Sequence, residues 1–164
     1  MTTHTPTSGR ERGQGEMSAT TYKRHKIGQH EMWYEPDTGL TFIVQIGQPN
    51  REETVEMCAR LTEYSANSGE PVFLIADERK ATGFGSVSGV AGVLSSTEVL
   101  RRECYVALFG GAFAFRVVCT LVARGLAAAG SPVVVTLPTD EAAARSWLTE
   151  RRNDYLARRA KIPA

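Results

Sequence analysis

Apolar and polar positions along this chain follow two rhythms, and the switches between them outline the elements. From Leu40 to Ile46, the apolar residues Leu40, Phe42, Val44 and Ile46 alternate with Thr41, Ile43 and Gln45, a period-two pattern that predicts a strand. Met32, Trp33 and Tyr34 supply β-favouring bulk before it, and Glu35-Pro36-Asp37-Thr38-Gly39 makes a turn, so residues 22–46 predict a strand pair. Three further runs, Val72 to Ala76, Cys104 to Phe109 and Val133 to Leu137, are apolar without alternation, as strands covered on both faces are. The first of them ends on Asp77 and empties into a polar, glycine-bearing segment from Glu78 to Gly89.

Between these strands the spacing becomes helical. Val55, Met57, Cys58, Leu61 and Tyr64 form the inward side of a helix whose start is marked by Asn50 and, three residues on, Glu53, as in a capping box. Gly69 and Pro71 end it. Val87, Val90, Ala91 and Leu94 have the i, i+3, i+4, i+7 spacing of a second helix face. From Phe113 to Ala129 the chain is apolar on most faces, with one ridge at Phe113, Val117 and Leu121 and a neighbouring one at Val118, Val122 and Leu126. Such width belongs to a helix that is heavily covered or that contacts a partner. Thr139 caps a last helix with Asp140 and Glu141 in its first turn. Ala144, Trp147 and Leu148 are its core side, and it continues through Tyr155 and Leu156 with its arginines outside.

The element order is β-β-α-β-α-β-α-β-α, which places the chain in the α/β class. An antiparallel opening pair followed by alternating strands and helices gives a mixed, mostly parallel five-stranded sheet with about four helices and right-handed crossovers. The length of 164 residues fits one domain, assigned to residues 21–150, between a disordered tail over 1–20 and a basic C-terminal helix extension over 151–164. Met17 is a candidate natural start, with residues 1–16 as an extension upstream of it.

Composition narrows the function classes. A hydrophobic content of 42%, 23% charged residues and a formal net charge of +1 describe an ordinary soluble domain without the basic excess of a nucleic-acid binder. The local exception is residues 150–164, where Arg151, Arg152, Arg158, Arg159 and Lys161 outnumber Glu150 and Asp154 by three charges. That stretch is a solvated helix face or a docking surface for an acidic partner or an anionic membrane. Cys58, Cys104 and Cys119 each lie inside an apolar pattern and form no CxxC pair, so they read as core residues; no disulfide framework or zinc site is expected. His25 and His30, placed five apart on a strand start, would face opposite sides, so no metal pair is expected. No apolar run reaches membrane-spanning length and no secretory signal is apparent, which makes the cytoplasm the default compartment.

Three stretches carry a family resemblance. They are Phe73-Leu74-Ile75-Ala76-Asp77, a strand ending in aspartate; Tyr105-Val106-Ala107-Leu108-Phe109-Gly110, a hydrophobic strand ending at glycine; and Val133 to Leu148, with Asp140-Glu141-Ala142 and Trp147-Leu148. Together they resemble the STAS (sulfate transporter and anti-sigma antagonist) domain, and more closely its bacterial SpoIIAA-like, STAS/CRAL-TRIO-related branch, over roughly residues 22–150. The resemblance implies small cytoplasmic modules, mostly without catalysis, that bind proteins or small amphiphiles. Antagonist-type members carry Asp-Ser-Ser/Thr-Gly at the helix after the central strand and are phosphorylated on the first hydroxyl residue. Here Ser86-Val87-Ser88-Gly89 puts Val87 at that position, which leaves Ser86 and Ser88 as the candidate phosphorylation sites. A phosphate at a helix N-terminus is electrostatically favourable, although capping is the commoner use of such a serine.

The candidate partner- or ligand-binding residues are therefore Asp77, Arg79, Ser86, Ser88 and Gly89. The bland reading of Asp77 is a structural pair with Arg79 or a turn cap. Glu78, Arg79 and Lys80 mark a pocket rim or simply solvate the loop. Gly83-Phe84-Gly85-Ser86-Val87-Ser88-Gly89 has a dinucleotide-loop look, but its glycines do not follow the strand directly and the next strand ends without an acid. No GxSxG occurs and no nucleophile pairs evidently with a histidine, so no catalytic residue, metal or cofactor is assigned. The expected function is a non-enzymatic STAS-like module that recognises a protein partner, or a second copy as a homodimer, through the loop after the central strand. The alternatives are a carrier of a small apolar or amphipathic ligand held between sheet and helices and, behind it, a nucleotide-binding enzyme.

Overall fold

The computed structural model describes residues 22–82 and 103–161. Within them the chain forms β1 (His25–Ile27), β2 (His30–Glu35), β3 (Leu40–Gly47), α1 (Arg51–Ser68), β4 (Val72–Ala81), β5 (Cys104–Phe109), α2 (Phe113–Ala128), β6 (Val133–Thr136) and α3 (Glu141–Arg159). The six strands make one sheet in the order β1-β2-β3-β4-β5-β6. β1, β2 and β3 pair antiparallel, and β3 to β6 pair parallel. The α/β architecture expected from the pattern holds, with two differences of count. Residues 22–46 fold into three strands instead of two, because Gly28 takes a left-handed φ of 57° and turns the chain back within the first segment. Three helices lie among the described residues; the helix expected over Val87 to Leu94 lies outside them.

Strand alternation divides the core. Val72 and Leu74 of β4 join Met57 and Leu61 of α1 in one apolar cluster, with Leu126 of α2 packed against it. Phe73 and Ile75 join Ala144 and Leu148 of α3 in the other. Helices α1 and α2 thus cover one face and α3 the opposite one, which is why the β4 run has no polar alternation. The cap of α1 is as expected: Asn50 Oδ1 accepts from Glu53 N at 2.9 Å, Glu53 Oε2 accepts from Asn50 N at 2.8 Å, and Gly69 ends the helix in the left-handed region. Its inward side differs from expectation at Val55, which is exposed, while Thr54 and Ser65 are buried. The cap of α3 falls on Asp140, one residue after Thr139, because the Asp140 carboxylate accepts from Ala143 N at 2.9 Å.

Of the C-terminal arginines, Arg158 and Arg159 are exposed as expected, yet both also make contacts within the domain. Helix α3 runs without a break to Arg159, and its cations reach the end of β2, the residues after α1 and the start of β5. Arg145 holds the buried Glu35 through two bonds of 3.0 Å, and Arg152 holds Glu70 at 2.6 and 2.9 Å. Arg158 donates to Glu103 at 3.3 Å and to the Tyr105 hydroxyl at 3.2 Å, and Arg159 donates to the Gly69 carbonyl at 3.1 Å. These side chains therefore clamp α3 to its own domain. A bidentate guanidinium–carboxylate pair fixes position as well as charge.

Candidate functional site

Open α/β sheets place their working residues beyond the carboxyl ends of the parallel strands. In this chain that end is built from β3, β4 and β5, the Gly110-Gly111 turn and the first turns of α2. Asp77 lies here, but it does not end its strand. Pairing runs on from Val44–Asp77 to Ile46–Lys80 and Gly47–Ala81, because β3 continues to Gly47 and supplies a partner. Between the first two pairs β4 has two residues, Glu78 and Arg79, opposite the single Gln45, so the strand carries a bulge at this point. Strand alternation up to this point puts Asp77 and Arg79 on one face and Glu78 on the other.

Asp77 and Arg79 lie on the α3 side. The carboxylate of Asp77 accepts from Arg79 Nε at 2.9 Å, from Nη2 at 2.7 Å and from the Arg79 backbone N at 3.1 Å. Those bonds, led by the side-chain pair, hold the Asp77 carboxyl below its usual range against the opposing effect of burial. Arg79 also lies over the Phe109 ring, 5.3 Å from its centroid. Gly110 is required here: its φ is 80°, and a Cβ would stand 2.8 Å from the Arg79 backbone N. The structural use of Asp77, as a partner for Arg79 and a cap of its own turn, is thus the observed one.

Glu78 points the other way, under α2. It is 4% exposed, and its Oε2 has no hydrogen-bond partner among the described residues. Burial, and then the Asp77 charge next to it, push its carboxyl up to about 7. A Cβ on Gly111 would meet Phe115 Cδ1 at 2.8 Å and Glu78 Cβ at 3.5 Å, so the turn that leads into α2 lies directly over this side chain, with Phe115 beside it. Glu78 is therefore neither a pocket rim nor a solvated loop residue. Cys119 lies on the same helix, buried, its thiol pushed up to about 11 by burial and then by Glu78. Cys58 and Cys104 are likewise buried, at about 11 and about 12, each raised mainly by burial. None of the three is an activated thiol.

The outer side of α2 is apolar. Phe113 is 83% exposed, Leu121 61% and Val117 43%, so the predicted ridge is real and faces outward, opposite the buried Phe115 and Cys119. The N-cap, Ala112, offers no side-chain oxygen to the first turn. Arg116 donates to the carbonyls of Leu137 and Pro138 at 3.0 and 3.3 Å, tying the helix to the end of β6.

Of the sequence-derived residues, the structure brings Asp77 and Arg79 together; Ser86, Ser88 and Gly89 lie outside the described residues. His25 and His30 occupy different strands, β1 and β2, because of the turn at Gly28, so their relation is not the within-strand one expected. His30 is buried: its Nδ1 accepts from Ile46 N at 3.1 Å, and its Nε2 lies 3.5 Å from Glu53. The accepting Nδ1 assigns the proton to Nε2. Among the described residues no group of His, Cys, Asp and Glu side chains could hold a metal ion, and no helix is long and apolar enough to cross a membrane. The residue that the sequence reading misplaced is Glu78. Its signal was parity: it follows Val72, Leu74 and Ala76 on one face, while β3 still had Ile46 to pair.

Comparison with known proteins gives a likeness of fold. The chain is similar to the crystal structure of an uncharacterised protein from the DUF3478 family with a SpoIIAA-like fold, from Shewanella loihica PV-4, at 18% identity and a TM-score of 0.48. The similarity covers 80% of this chain and 98% of that one. No protein-family model matches the chain, and no curated protein matches it.

Proposed function

We propose that the protein is a non-enzymatic, STAS-like binding module that recognises a protein partner, a second copy of itself included, through the end of β4 and the outer face of α2. One observation carries the reading: the uncharged ridge Phe113, Val117 and Leu121 stands exposed on a helix whose opposite side closes over the β4 end. Large apolar side chains grouped on one face are characteristic of interaction surfaces. Around them the polar groups are already engaged within the domain, Asp77 with Arg79 and Arg116 with two carbonyls. Such a surface favours association over chemistry. An amphiphile carrier is the competing reading, and the same experiment separates the two.

The test compares wild-type protein with Leu121→Ser and Asp77→Ala by light scattering across a concentration series, and by affinity capture with crosslinks mapped to residues. Leu121→Ser is expected to lower association at least tenfold, about 1.4 kcal/mol, with an unchanged melting curve. Association identical in all three proteins, or crosslinks that avoid α2, would discard the partner reading. A co-purifying lipid mass in native mass spectrometry would favour the carrier.

A further inference from the structure

We propose that Glu78 is a proton-operated latch: with its carboxyl protonated, the β4 bulge stays packed beneath α2, and loss of that proton releases the β4 end from the helix. The inference goes beyond the partner reading and does not depend on it. Its basis is geometric. Glu78 is 4% exposed, Oε2 is unpartnered among the described residues, and the side chain lies between Gly111, Phe115 and the sheet. A neutral carboxyl tolerates such a place with the loss of a hydrogen bond; a carboxylate without a partner does not.

Among the described residues the neighbours supply no compensating charge. From β3 comes Gln45, buried and neutral; from β5, on the same face, comes Leu108. Helix α2 contributes Phe115 and the un-ionised thiol of Cys119, and its Arg116 is held by the carbonyls of Leu137 and Pro138. Within β4, Asp77 is an anion already claimed by Arg79, and Lys80 is exposed. Among the described residues, then, an ionised Glu78 meets one like charge and no cation. The surrounding backbone is also the easiest part of the strand to move. The ladder is interrupted between Val44 and Ile46, and Gly110 and Gly111 join β5 to α2 through two left-handed residues.

The direction of the effect follows from linkage. The carboxyl titrates near 7 when packed and near 4.5 when free, so opening grows about tenfold per pH unit between those values and levels off above them. Hydrogen–deuterium exchange on the full chain tests this, with rates corrected for the intrinsic effect of pH. Between about pH 5 and about pH 8, protection of peptides covering 78–81 and 111–119 should fall on the order of 100-fold, while peptides of α3 hold theirs. Glu78→Gln should abolish the dependence, with an unchanged circular dichroism spectrum. Asp77→Asn, a second and independent variant, should move its midpoint to lower pH by removing the like charge. A flat wild-type profile, a Glu78→Gln profile matching the wild type, or an unmoved midpoint in Asp77→Asn would each overturn the latch.

Discussion

Asp77 and Glu78 are adjacent carboxylates on one strand, and they differ in almost everything that follows from which face they point to. Asp77 turns to the α3 side, meets Arg79 at 2.7 Å and is held below its usual range. Glu78 turns to the α2 side, finds no cation among the described residues and is raised to about 7. The contrast extends to the two layers. The α3 layer is pinned by paired charges, Arg145 to Glu35 and Arg152 to Glu70, and by ring contacts such as Trp147 on Tyr105 at 6.3 Å. The α2 layer has an N-terminus without a side-chain cap, a buried acid whose Oε2 has no partner among the described residues, and an exposed apolar ridge. One side of the sheet is held by ion pairs; the other exposes an apolar ridge and buries the Glu78 carboxyl. Regions that bind or move are drawn from the less stable end of a structure, and the α2 layer has those features.

The sharpest way to break this comparison is at Arg145. Arg145→Met leaves Glu35 buried without its cation and should lower stability by about 3–5 kcal/mol in urea melts. A loss under 1 kcal/mol would mean that the α3 clamp is ornamental. Next in size is Glu78→Gln. Because the folded carboxyl titrates near 7 and the unfolded one near 4.5, wild-type stability is full below 4.5, falls as pH rises to about 7 and is flat beyond. The substitution should therefore stabilise the protein by about 3 kcal/mol above pH 7 and by nearly nothing below 4.5, read from melts across that range. Asp77 has the opposite sign: its depressed carboxyl adds stability above its unfolded value, which is lost as pH falls through the folded one. The smallest effect is expected at Leu121. Leu121→Ser should shift stability by no more than about 0.5 kcal/mol while weakening association, since an exposed side chain has little folded contact to lose. A large stability loss there would place the ridge in the core layer instead.

Much of the scaffold was legible in advance because its signals are local. The unalternating run from Val72, the capping pair Asn50 and Glu53, and the stop at Gly69 each depend on residues within a few positions of one another. The ridge at Phe113, Val117 and Leu121 was legible too, though not whether it would be covered. The resemblance to a SpoIIAA-like fold agrees with the observed α/β architecture. Less legible was everything that needed a partner distant in sequence. Arg145 and Glu35 are 110 residues apart, and Arg152 and Glu70 are 82 apart, so neither pair could be read from a local pattern.

Sequence alone determined the alternation of strands and helices, where most of them stop, and that β4 would be covered on both faces, since backbone preference and apolar period act over a few residues; β6, equally apolar, is an edge strand that leaves Val134 exposed. The tertiary structure decided which charges would be satisfied. Strand parity sends Asp77 to Arg79 and Glu78 beneath α2, and only the meeting of β3, β4 and the Gly110-Gly111 turn fixes the surroundings of each. A carboxyl group responds to what surrounds it in space, and that environment is assembled from segments that the chain brings together only on folding.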